Sequence, residues 1–213
     1  MNHGLSMALF ASPKKNVAGT PEQPRFEELG CPAFASLVEK MDADPERKYH
    51  VLDLEAASGN HIEFFSRFRC RYHIGDVLQV LSYLEPPEPE EPAPDFNLIL
   101  PLHMKNKLDL ILVWDGLNYL DKALLPGFSE HLLRKCNPGA WVHAFVYTRG
   151  DMPAKPVSFD ILSSSAMRRS LGEGATAAPC YPQRVLENLM PGFRSVQSRL
   201  LKNGVQEYLF QVQ

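Results

Sequence analysis

The segment Tyr49-His50-Val51-Leu52-Asp53-Leu54 constrains this chain more than any other. It is a short apolar run, β-branched in part, that stops abruptly in the small residues Ala56-Ala57-Ser58-Gly59, so it reads as a buried strand followed by a tight turn. Immediately after it, Ile62, Phe64, Phe65 and Phe68 recur on adjoining helical turns, which predicts a helix over residues 60–68 with Asn60 as its cap. Residues 71–75 form a weaker strand ending at Asp76, and residues 77–84 a second amphipathic helix. A strand, a crossing helix and a second strand are the unit of a parallel sheet.

The alternation continues along the chain. Residues 26–41 carry apolar side chains at helical spacing, with Pro32 in what reads as the first turn of the main helix. Strands are expected at residues 96–100, 108–114 and 141–147, with a helix over residues 120–135 broken or begun at Pro126. Near the end a helix over residues 181–190 is stopped by Pro191-Gly192. Two apolar runs, 195–201 and 205–211, then flank Lys202-Asn203-Gly204 and read as a hairpin. These elements predict a three-layer α/β domain whose sheet is mostly parallel, with antiparallel character added at one edge by the C-terminal hairpin.

Composition bounds the rest. With 213 residues, 45% of them hydrophobic, the chain suffices for one domain over residues 25–213, preceded by an arm over residues 1–24 that is poor in periodicity and reads as flexible. Inside the domain, residues 85–95 are rich in proline and glutamate, which excludes helix and inner strand. They read as a stiff linker or, as the alternative, a proline-rich recognition segment. A net charge of −3 provides no basic field for nucleic acid. Cys31, Cys70, Cys136 and Cys180 are too scattered for a zinc site or redox pair and read as free thiols of a reducing compartment. No run is long enough to cross a bilayer, and the early apolar stretch precedes Lys14 and Lys15 instead of following a charge, so a cytoplasmic protein is expected.

Open parallel sheets bind ligands beyond the carboxyl ends of their strands. There the run from Val51 to Gly59 resembles the first motif of class I S-adenosylmethionine-dependent methyltransferases: a hydrophobic strand, an aspartate and a Gly-x-Gly-x-Gly-like turn. Asp53 and Gly59 fall in register, while Glu55 and Ala57 stand where that family has its first two glycines. Asp76, 23 positions after Asp53, matches the acid that the family uses for the ribose hydroxyls. Leu108–Leu120 looks like the fourth strand and its loop, and Asn137-Pro138-Gly139 like the turn into the fifth. A nicotinamide fold would need Gly-x-Gly-x-x-Gly, and a phosphate-cradling loop Gly-Lys-Ser/Thr; neither follows the strand.

The resemblance implies a Rossmann-like methyltransferase fold and S-adenosylmethionine as cofactor, held by Asp53, Glu55, Ala57, Gly59, Asp76 and Asp115. Asp115, Asn118 and Tyr119 would face the methyl-transfer region; Asp95 could contact adenine or simply end a loop. No fixed catalytic set is implied, because methyl transfer depends chiefly on alignment. His103 and His131 are candidate bases but read more simply as ordinary histidines, and Trp114 and Trp141 as core. Asp53 could equally satisfy backbone donors of its own turn, and Asp76 could cap the helix after it. Residues 150–180, with Ser163-Ser164-Ser165 and Gly172-Glu173-Gly174, read as mobile, and the resemblance makes them the stretch where specificity for a small-molecule or protein acceptor is often built; the sequence does not say whether they form a lid. Two functions remain open: a methyltransferase with a divergent cofactor loop, or an inactive methyltransferase-like binding or regulatory protein.

Overall fold

A computed structural model describes residues 25–88, 90 and 92–213. The expected arm, residues 1–24, lies outside the described residues, as do Pro89 and Glu91 of the proline-rich segment. In chain order the elements are β1 (Phe26–Gly30), α1 (Pro32–Asp42), β2 (Tyr49–Asp53), α2 (Gly59–Ser66), β3 (Cys70–Ile74), α3 (Leu78–Leu81), α4 (Phe96–Ile99) and β4 (Leu108–Trp114). A 3-10 turn at Gly116–Tyr119 leads to α5 (Leu125–Leu133), β5 (Cys136–Tyr147), β6 (Asp151–Pro153), β7 (Phe159–Ser163), β8 (Ala166–Ser170) and β9 (Ala175–Ala177). The chain closes with α6 (Gln183–Leu189), β10 (Phe193–Leu200), a 3-10 turn at Lys202–Gly204 and β11 (Val205–Val212).

The central sheet has six strands in the order β10-β11-β5-β4-β2-β3. Strands β3, β2, β4 and β5 run parallel; β11 adds antiparallel to β5 and β10 to β11, as the hairpin signal predicted. Strands β2 and β4 are buried at every residue, as their unbroken apolar runs require. At their amino ends Asp109 ties three segments together. It accepts from the His50 N–H at 2.9 Å, from Arg47 Nη2 at 2.7 Å and from Asn137 Nδ2 at 3.0 Å.

Several elements differ from the sequence expectation. Pro32 opens α1, as expected, but the helical spacing upstream of it does not make helix: residues 26–30 form β1 and pair antiparallel with β8, from Phe26↔Ser170 to Gly30↔Ala166. Pairing with a segment more than 130 positions away overrides the local helical period. The strand expected at residues 96–100 is the single helical turn α4. The Asp95 carboxylate caps it by accepting from the Asn97 N–H at 2.9 Å, so this aspartate serves as a cap in the fold. The central sheet therefore ends at β3. The helix predicted over residues 77–84 shortens to the one turn α3. Asn60 does not cap α2; Ser58 occupies that position, and the Asn60 side chain accepts instead from the Ile161 N–H at 2.7 Å.

Residues 150–180, expected to be mobile, are largely paired. Strands β7 and β8 join β1 in a three-stranded antiparallel sheet, and β6 pairs with β9. All four cysteines are free, Cys31 and Cys136 buried. No described helix is long and apolar enough to cross a membrane.

One buried carboxylate locks α1 to the sheet. Glu207 of β11, fully buried, accepts from the Ala33 and Phe34 N–H groups, both at 2.9 Å, and from His143 Nε2 of β5 at 2.9 Å. It fills the helix N-terminus, where backbone donors have no partner of their own. Glu207→Ala strands three buried polar groups and is expected to lower unfolding free energy by roughly 3–5 kcal/mol in urea titration. Glu207→Gln, which keeps the shape and an acceptor, should lose markedly less.

Candidate functional site

The carboxyl ends of β2 and β4 meet at Asp53, which is 1% exposed. Its carboxylate accepts from four donors. They are the Glu55 N–H at 2.9 Å, His61 Nδ1 at 2.9 Å, Trp114 Nε1 at 2.5 Å and the Tyr72 hydroxyl. Two oxygens offer about four lone-pair positions, so this carboxylate is saturated from within the protein. Burial, together with the Asp53 charge, pushes the Tyr72 phenol well above its usual range, so it stays protonated as a donor.

Trp114 reaches Asp53 because the last residues of β4 depart from regular strand. The β4–β5 register shifts between Leu112 and Trp114, and Trp114 has φ +53°. A bulge of this kind re-aims a side chain, and positive φ at a bulky residue costs roughly 1–2 kcal/mol, which the buried contacts must offset. The indole stacks between His61 (centroids 4.7 Å apart, 18° between planes) and Phe159 of β7 (5.1 Å, 19°); Phe159 in turn lies parallel to Phe145 (5.1 Å, 5°). These rings form a continuous pile over the end of β2.

The residues replacing glycine join this closure. Glu55 accepts from the Phe159 N–H at 3.3 and 3.4 Å, and Asn60, at the start of α2, accepts from the Ile161 N–H. The outer edge of β7 is thus tied to the turn at alternate residues. Burial, with the Asp53 charge second, pushes the Glu55 carboxyl up to about 9, so at neutral pH it is uncharged. It neither repels a carboxylate nor attracts an amino group or sulfonium.

The remaining expected residues are placed as follows. Ala57 and Gly59 are exposed, and a Cβ added at Gly59 would meet nothing within 4 Å, so no close approach of backbone or side chain requires glycine there. Asp76, φ +49°, is exposed at the end of β3; Val77 stands at the N-cap of α3, so Asp76 is not the helix cap. The segment bearing it crosses the end of β2, with the Gly75 N–H donating to the Asp53 carbonyl at 2.6 Å, Asp76 to that of Glu55 at 3.3 Å and Val77 to that of Leu54 at 2.9 Å.

Asp115 is fully buried and pushed up to about 7 by that burial, against the opposing effect of the Val157 N–H, which it accepts at 3.2 Å. Asn118 bonds the backbone of Asp115, Phe145 and Tyr147, and the Tyr119 hydroxyl lies 3.0 Å from the Pro153 carbonyl. Both act as clamps within the fold. His103 is exposed, and His131 Nε2 lies 2.8 Å from the Leu100 carbonyl; neither bonds to these residues. Trp114 and Trp141 are buried, as expected of core residues.

The structure thus brings Asp53, Glu55 and the turn together with four residues that sequence reasoning did not place here: His61, Tyr72, Trp114 and Phe159. A bulky aromatic as the last residue of a strand beside a strand-end aspartate was the available signal.

The architecture resembles that of a protein solved from Clostridium acetobutylicum ATCC 824, an S-adenosylmethionine-dependent methyltransferase. The match has a TM-score of 0.50 and 12% identity over 84% of this chain and 90% of that one. This chain has the fold of class I S-adenosylmethionine-dependent methyltransferases. More distant likenesses include CalS10 of Micromonospora echinaspora, an amino pentose methyltransferase with bound S-adenosylmethionine (TM-score 0.47, 12% identity, 85% and 91% coverage). Another is the N-methyltransferase NodS of Bradyrhizobium japonicum WM9, in complex with S-adenosylhomocysteine (0.45, 14%, 85% and 86%). No protein-family model matches the sequence, and no curated protein does.

As arranged here, the residues do not fit an adenosylmethionine against Asp53. Its acceptor positions are filled, the Trp114 and Phe159 rings are buried over it, and Glu55 is bonded to β7.

The two displaced carboxyls predict a pH dependence. Glu55 holds a proton in the folded chain up to about pH 9, whereas the unfolded chain releases it near 4.5. Between those values the folded state binds more protons, so stability falls as pH rises, by at most about 1.4 kcal/mol per pH unit for one group. Asp115 adds to the slope below about pH 7. Denaturant midpoints of Glu55→Gln, which mimics the neutral acid, should fall less between about pH 6 and 8.5 than those of the unsubstituted chain; parallel slopes would contradict a neutral Glu55.

Proposed function

We propose that this chain is a methyltransferase-fold protein that acts by binding and not by methyl transfer, its cofactor crevice having become a packed internal joint. The observation that carries this reading is the bond from the Trp114 indole to Asp53, with the Phe159 ring stacked on the other face of that indole. The substitutions support one another: Glu55, in place of a glycine, holds β7, and β7 delivers Phe159. Each would be out of place in an open crevice.

Energetics support the same reading. Opening the crevice means withdrawing a buried tryptophan from its contacts, for which truncations of large core aromatics suggest about 3–5 kcal/mol. A ligand that needs the open state loses affinity by the same amount, roughly a thousandfold for 4 kcal/mol. A micromolar intrinsic affinity would then be millimolar in practice.

A second reading is favoured by one specific observation: the Asp76 carboxylate is exposed at the rim, 23 positions after Asp53, and makes no hydrogen bond among the described residues. In that reading the chain is an S-adenosylmethionine-dependent methyltransferase, acting on a small-molecule or protein acceptor, in which the β7–β8 hairpin lifts to admit the cofactor.

Titration calorimetry with S-adenosylmethionine and S-adenosylhomocysteine separates the two. The first reading predicts no saturable heat at ligand concentrations up to about 0.1 mM, and appearance or strengthening of binding in the double variant Trp114→Ala, Glu55→Gly, if it remains folded, because the opening cost falls. Binding in the low micromolar range by the unsubstituted chain, with loss on Asp76→Ala, would establish the second.

A further inference from the structure

The opposite end of the sheet holds a site that the closed crevice does not involve. A cleft of about 540 Å³ is lined by His50, Arg71, His73, His103, Lys105 and Asn106, together with Met104. That volume lies within the roughly 300–1,000 Å³ typical of small-molecule sites. Its floor comes from β2 and the edge strand β3. His50 is the second residue of β2 and Arg71 the second of β3, paired in register, and Asn106 immediately precedes the approach to β4. Because residues 96–99 form a helical turn and add no strand, β3 is the edge of the sheet, and the face carrying Arg71 and His73 is left open.

The polar groups form a connected row. Asn106 Nδ2 lies 3.1 Å from His50 Nε2, and His50 Nδ1 lies 3.4 Å from His73 Nε2. With the Asn106 amide donating, His50 Nε2 accepts and His50 Nδ1–H donates to His73 Nε2. The remaining proton is then on His73 Nδ1, which has no partner among the described residues. Burial holds His50 and His73 below the usual imidazole range, so at neutral pH both rings are uncharged donors and acceptors.

The charge in the cleft therefore comes from Arg71 and Lys105. Neither forms an ion pair among the described residues, and no carboxylate lines the cleft. The carboxylate behind its floor, Asp109, is engaged with Arg47, Asn137 and the His50 backbone. Two unpaired cations, a planar guanidinium among them, beside neutral ring donors suit a compact doubly charged oxyanion, and phosphate matches the guanidinium fork.

We propose that this cleft binds a small phosphorylated molecule, with the phosphate held between Arg71 and Lys105 and His73 Nδ1–H, oriented through His50 and Asn106, donating to it. The remaining volume takes the organic part of the ligand. The cleft presents two cations on a chain of net charge −3, which favours a small ligand over nucleic acid. A dianion here also favours protonation of the histidine pair. Asp109 acts in the same direction, while Lys48 and Arg71 oppose it, as does the second ring of the pair; Lys105 adds its charge from the facing segment.

Histidine ring resonances of the full chain, followed by NMR during addition of inorganic phosphate, test the proposal. Saturable movement of the His50 and His73 signals in the millimolar range is expected at about pH 7.5, where phosphate is mostly the dianion, and it is not reproduced by sodium chloride at equal ionic strength. Arg71→Gln and Lys105→Gln should each weaken it by about fivefold or more; both side chains are exposed, and unchanged thermal melting of either variant shows that the fold is intact. Equal shifts with chloride, or shifts indifferent to both substitutions, would overturn the site. Tighter binding of a short single-stranded oligonucleotide than of phosphate would overturn the small-molecule assignment.

Discussion

The saturated carboxylate of Asp53 organises one end of this molecule. It stands where β2 ends, and its four donors come from its own turn, from α2, from β3 and from β4. A buried carboxylate is tolerable only when its oxygens are hydrogen-bonded, so each of these elements is held to the position its donor needs. The geometry of Trp114 follows from that demand. A bulge and a positive φ turn the indole back over β2, His61 stacks beneath it and Phe159 above. Because Phe159 rides on β7, the three-stranded sheet that includes β1 and β8 is drawn across the strand ends.

The two ends of the central sheet consequently differ in character. At the carboxyl ends the chain closes upon itself: backbone donors of residues 75–77 bond to the carbonyls of residues 53–55, and Glu55, uncharged at neutral pH, bonds β7. At the amino ends Asp109 fixes the strands from within, and the short sheet edge leaves two histidines and two cations lining a cleft. The carboxyl ends of this sheet are thus filled by the chain's own side chains, while the amino ends border an open cleft.

Much of this was legible in the sequence, for reasons that are local. The apolar runs of β2 and β4, the helical spacing of α2 and α6 and the Asn-Gly signal of the terminal hairpin each act through residues a few positions apart. So does the order of strand-end aspartates, which led to the fold. What escaped depends on distant partners. Phe26–Gly30 is a strand only because β8 exists, and residues 150–180 are ordered by pairing that their serines and glycines do not announce. The run at residues 96–100 was too short for periodicity to decide, and the Asp95 cap decided it. In the candidate site, Asp53 was visible as a match to a pattern and Glu55 as a departure from it. The closure was not, since the Trp114–Asp53 bond joins residues 61 positions apart and the Glu55–Phe159 bond 104.

The central claim is that the Trp114 indole permanently occupies Asp53. The chain has two tryptophans, so its two indole N–H resonances can be assigned by substituting Trp141. The Trp114 signal should be shifted downfield by its carboxylate partner, exchange slowly with solvent, and be unmoved by excess S-adenosylhomocysteine. A Trp114 indole proton that exchanges freely with water, or that shifts as the ligand is added, would contradict it.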